Sequence, residues 1–115
     1  MLPDDLRLTI LATLNDRIVT GCQSVIDRHS FPGYAVGIGS KGCVTFSPTK
    51  VVDYETFKAN QDGELCDLAW LYNMNRGIFM TPGREEEWTL SITHSLDDVD
   101  AFVQAFEELA ADLTA

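Results

Sequence analysis

Near the start of the chain, apolar side chains recur every three or four residues. Leu6, Ile10, Leu14, Ile18, Cys22 and Val25 form one stripe with polar residues between them, the spacing of an amphipathic helix that lies on another layer. Pro3 suits a first helical turn, Asp4 and Asp5 suit the positive end of the helix dipole, and Arg28 and His29 suit the negative end. Ser30-Phe31-Pro32-Gly33 stops the run, so the pattern predicts a helix over 3–29. Tyr34 to Ile38 and Cys43 to Phe46 then read as two short strands. Gly39-Ser40-Lys41-Gly42 between them predicts a hairpin with a four-residue loop. Residues 51–60 fit either a short helix or a covering loop anchored by Tyr54 and Phe57.

Helical spacing returns at Leu65, Leu68, Ala69 and Tyr72, predicting a helix over 62–76 with Gly77 as its C-cap. Ile78 to Met80 and Trp88 to Thr93 are further strand candidates on either side of a turn at 81–87. Ser95 reads as an N-cap with Asp97 and Asp98 in the first turn. Val99, Phe102, Val103, Phe106, Leu109, Ala110 and Leu113 continue that helix. The order of elements predicts one α+β domain over 1–115: a small, mostly antiparallel sheet of about four strands with helices packed on one face.

Composition narrows the function classes. A chain of 115 residues with 45% hydrophobic side chains can bury a core of its own. Its net charge of -10 disfavours nucleic acid and anionic membranes, which need clustered Lys and Arg. No apolar run approaches the roughly 18 residues of a membrane span, and the first residues lack the pattern of a signal peptide. Cys22, Cys43 and Cys66 are odd in number and widely spaced, which argues for reduced core thiols in a cytoplasmic protein rather than disulfides or zinc.

Candidate chemistry concentrates between residues 84 and 94. Glu85-Glu86-Glu87 and His94 are its densest polar groups. On an extended strand, His94 would lie roughly 20 Å beyond Trp88, too far for the triplet and the histidine to share one ion, so no metal site is expected. Ser91 lacks the G-x-S-x-G setting of a hydrolase nucleophile. Arg84 and Arg76 each have the chemistry to grip a carboxylate. On residue type alone, a solvated turn accounts for the triplet, and a hydrogen-bonded histidine at a strand end accounts for His94.

From Asp62 onward the chain resembles the C-terminal small domain of class III, fold-type I pyridoxal-phosphate-dependent aminotransferases, and glutamate-1-semialdehyde 2,1-aminomutase-like proteins above all. Gly77, Pro82, Glu86, Ser91 and His94 stand at the intervals of that family's strand and turn, followed by Ser95, Asp97 and Asp98. The opening helix and hairpin fit the same domain more loosely. The resemblance implies a large cofactor-binding domain as partner, pyridoxal phosphate in the full-length parent, a homodimeric parent, and a small domain that helps to enclose substrate. It places the family's active-site glutamate on Glu86, as a substrate contact. Arg84 is a candidate for a substrate carboxylate. Arg84, Glu85, Glu87 and Trp88 depart from the small or apolar residues usual around that glutamate, which implies another substrate shape. The lysines here are Lys41, Lys50 and Lys58, none in the family's Schiff-base setting. The chain alone is therefore expected to hold no cofactor and no catalytic residue. The rival reading is a stand-alone α+β ligand-binding or regulatory module. If a large domain is missing, Trp70 and one face of the first helix should be partly exposed.

Overall fold

The computed structural model describes residues 4–31, 33–46, 55, 63–80 and 87–114. Helix α1 spans Asp4–His29, α2 Gly63–Asn75 and α3 Leu96–Thr114; strands β1, β2 and β3 span Tyr34–Ile38, Lys41–Thr45 and Glu87–Thr89. The strands form one antiparallel sheet in the order β1-β2-β3. Helix α1 lies across β1 and β2, α3 runs along α1, and α2 packs against α3.

The helix ends follow from local chemistry. At the end of α1, Ser30 adopts φ 50° and the Phe31 amide donates to the Ile26 carbonyl at 3.0 Å. This is a Schellman closure, with buried Phe31 and Ile26 as its apolar contact. Helix α2 closes the same way. Gly77 takes φ 79° and the Ile78 amide donates to the Asn73 carbonyl at 2.9 Å, so the predicted glycine C-cap is present. At the start of α3 the Asp98 amide donates to Ser95 Oγ at 3.2 Å, while the Ser95 amide donates to Asp98 Oδ2 at 2.8 Å. That reciprocal pair is a capping box with aspartate at its third helical position.

The sheet departs from expectation in three places. The hairpin turns on two residues, Gly39 and Ser40, rather than four, and Ile38 pairs with Lys41. Gly39 supplies the positive φ of 63° that so tight a turn needs. The strand expected over Trp88–Thr93 stops at Thr89, opposite Lys41. Beyond that point β2 has already turned away: the Leu90 amide reaches the Ser40 carbonyl in the turn at 2.8 Å, and no ladder is left to follow. Ile78–Met80 is not a strand either. The Ile78 amide is spent on α2, and the Met80 carbonyl accepts from Trp70 Nε1 at 2.9 Å. The α+β class stands, with three strands among the described residues.

The core joins all three helices to the sheet. Leu14, Ile18, Cys22, Val25 and Ile26 of α1 meet Val44, Phe46 and Trp88, with Cys66, Ala69, Val99, Phe102, Phe106, Leu109 and Ala110 from the other helices. Phe31, Phe46 and Phe106 form an aromatic triangle with centroids 5.6 to 6.4 Å apart. Beside β1, Gln23 Oε1 accepts the Ala35 amide at 3.0 Å. Leu6 and Leu8 of α1 are exposed and Trp70 is half-buried.

Candidate functional site

A groove of about 500 Å³ lies between the residues after α2, strand β3 and the start of α3. Its floor is apolar: Ile18, Met80, Trp88, Val99 and Phe102. Arg76, His94 and Asp98 bring polar groups to it. Arg84 and Glu86, the two expected substrate contacts, lie outside the described residues, as do Glu85 and the rest of 81–86.

The polar residues of the groove are largely committed. Arg76 Nε donates to Glu108 at 2.6 Å, and its guanidinium lies 3.4 Å from the centre of the Tyr72 ring. The Arg76 contact holds the Glu108 carboxyl below its usual range. Arg76 thus ties α2 to α3 and does not stand ready for a ligand. The Asp98 carboxyl is likewise held low, first by the Ser95 backbone amide and then by the Ser95 hydroxyl.

Residues 91–94 fold back as a turn, so the extended path from Trp88 to His94 does not exist. The Ser91 amide donates to His94 Nδ1 at 2.9 Å and the His94 amide donates to the Ser91 carbonyl at 3.0 Å. When neutral, the ring therefore carries its proton on Nε2. A hydrogen-bonded structural histidine is what the geometry shows, at a turn rather than a strand end. No group of three His, Cys, Asp or Glu among the described residues could hold a metal ion.

The structure adds a residue that the sequence pattern hid. Asn15 is 2% exposed. Its Nδ2 donates to the Lys41 carbonyl at 3.0 Å, and its Oδ1 accepts from Trp88 Nε1 at 2.7 Å. The Trp88 indole stands edge-on to Phe102 with centroids 5.5 Å apart. It also lies flat against Gly42, where a Cβ would come within 2.5 Å of Cζ2. The clue was available: Asn15 follows Leu11 by four and precedes Ile18 by three, a polar residue on the buried side of a helix.

No family model matches the chain. Among curated proteins, it is 29% identical over 91 residues to the glutamate-1-semialdehyde 2,1-aminomutase of Geotalea daltonii, covering 79% of this chain and 21% of that protein. Among solved structures, a variant of a glutamate-1-semialdehyde aminomutase from Pseudomonas aeruginosa PAO1, in complex with PMP, superposes with a TM-score of 0.87. It covers 98% of this chain and 24% of that one at 15% identity, a likeness of fold. An omega-transaminase from Sphaerobacter thermophilus superposes with a TM-score of 0.75 at 25% identity, covering 96% and 25%. The chain resembles the C-terminal small domain of class III aminotransferases. This aminotransferase-like domain spans about a fifth of the length of the curated relatives it matches.

Proposed function

We propose that this chain is the substrate-enclosing domain of a class III aminotransferase or a glutamate-1-semialdehyde aminomutase-like enzyme. The observation that carries this reading is that a sequence likeness and a fold likeness point to the same enzymes. The chain is 29% identical over 91 residues to a glutamate-1-semialdehyde 2,1-aminomutase, and the fold superposes along nearly all of the chain on one stretch of such an enzyme. In this reading Glu86 contacts the substrate beside its amino group, and Arg84 meets a substrate carboxylate through its planar fork of donors. The reaction moves an amino group between an amino compound and a carbonyl, or within one molecule. The partner is the rest of such an enzyme, working as a homodimer in the cytoplasm. The exposed apolar side chains Leu8, Ile38 and Phe79 support a further body packed on the domain.

Pyridoxal phosphate, where it is bound, supplies the electron sink for such chemistry. The described residues do not fit a site for it. Their single lysine, Lys41, is exposed on β2 beside the hairpin turn. In this reading the chain's role is to bind and orient substrate and to exclude water.

A hybrid enzyme tests the reading. Residues 1–115 replace the matching segment of the Geotalea daltonii aminomutase, and amino transfer is followed over a panel of amino and keto compounds. Glu86→Gln is expected to lower kcat/KM by about tenfold or more, the loss typical of a substrate-orienting contact. A hybrid that turns over normally with both Glu86→Gln and Arg84→Gln would remove the basis for this assignment.

A further inference from the structure

The Asn15–Trp88 pair invites a functional question because it is an expensive way to fill a core. An indole N–H and a carboxamide are both taken from water, and each must find a partner to offset that loss. Here both do, and the arrangement joins three elements. Asn15 comes from α1, the accepting Lys41 carbonyl from β2, and Trp88 from β3. Gly42 completes the seat, since any Cβ there would strike the indole. Among the described residues β3 spans Glu87–Thr89 and pairs with β2 through Lys41, Gly42 and Cys43. The indole's hydrogen bond to Asn15 and its seat on Gly42 fix which face and which position Trp88 takes opposite β2, and so help to set the register of these pairs. Trp88 is the middle residue of β3, and its ring also forms part of the groove floor.

We propose that Asn15 is a positioning residue: through the Trp88 indole it sets the register of β3 and the wall of the groove, and with them substrate affinity. The inference rests on the aminotransferase reading above but concerns different residues. Asn15 touches no substrate. It acts through Trp88, and both of its hydrogen-bonding functions are used, the acceptor on the indole and the donor on β2. An apolar side chain of the same size keeps the bulk and loses both functions.

The decisive variant is Asn15→Asp. A protonated carboxyl copies the amide: one oxygen accepts from Trp88 Nε1 and the O–H donates to the Lys41 carbonyl. Once ionised, it can no longer donate to that carbonyl. Burial favours the neutral form and raises the pH at which the change occurs. In the hybrid enzyme, Asn15→Asp is expected to match the parent at low pH and to show a KM about tenfold higher once the carboxyl ionises, with kcat within about twofold, as for lost positioning of bound substrate. The parent should lack that inflection. Asn15→Leu should show the raised KM at every pH. In the 115-residue chain itself, the Trp88 indole N–H resonance of Asn15→Asp should shift over the same pH range, a readout that needs no activity. The proposal is overturned if that resonance shifts while KM does not, or if Asn15→Leu keeps the parent's KM. Should Asn15→Leu fail to fold, the pH series on Asn15→Asp decides alone. Failure of the aminotransferase reading is distinguishable, because it would appear as an indifferent Glu86→Gln in the same hybrid.

Discussion

Ser30 is a single residue whose backbone works against its side chain. It closes α1 with φ 50°, a left-handed conformation that costs an L-residue with a Cβ but not glycine. Ser30→Gly is expected to stabilise the chain by about 0.5–1 kcal/mol, seen as a higher urea midpoint with unchanged slope. Ser95 is the opposite case, a residue whose side chain serves the backbone. Ser95→Ala should cost about 1 kcal/mol, the usual worth of an N-cap. The cap also has a pH signature. The folded-state Asp98 carboxyl is held below its ordinary value, first by the Ser95 amide and then by the Ser95 hydroxyl. Its contribution is therefore present above the unfolded carboxylate range and is lost as pH falls through the lowered value. Thermal melts between neutral and acid pH should show a shallower acid loss in Ser95→Ala than in the parent.

Elements were legible in proportion to how local their causes are. Helix α3 was readable because cap, acidic first turn and apolar spacing all lie within its own residues. Gly77 was readable as the end of α2 for the same reason. The end of β3 was not. It depends on where β2 turns, and the hairpin loop is two residues shorter than the glycine spacing suggested. Ile78–Met80 looks like a strand by composition, but its backbone groups answer to Asn73 and Trp70, partners that spacing does not reveal. Of the candidate site, the histidine's structural role was readable in kind. Asn15 is hidden from a reading of spacing because polar residues on a helix default to the wet side, and its partners on β2 and β3 are distant in sequence. The packing between elements makes its own prediction. Phe106 meets both Phe31 and Phe46, so Phe106→Ala should destabilise by about 3–5 kcal/mol in urea unfolding.

Across the whole molecule, the three cysteines report how closed the interior is. Cys22 and Cys66 are fully buried while Cys43 is partly accessible. Burial pushes the Cys22 thiol up to about 12, so it is protonated at any working pH and unreactive. Titration of the native chain with a thiol reagent near pH 8 should label Cys43 first, with Cys22 and Cys66 reacting only on unfolding. Rapid labelling of all three would mean that the interior opens readily. The same scale governs the cofactor: pyridoxal phosphate added to this chain alone should give no lasting Schiff-base absorbance, and a band surviving dialysis would contradict the division of labour proposed above. A last whole-molecule consequence follows from the amide of Gln23, which occupies the Ala35 N–H of β1. Free main-chain groups along a sheet margin recruit further polypeptide. By taking one of them for itself, α1 makes that stretch a poorer template, and Gln23→Leu is expected to raise the rate of aggregation above the parent's, measured by light scattering on storage.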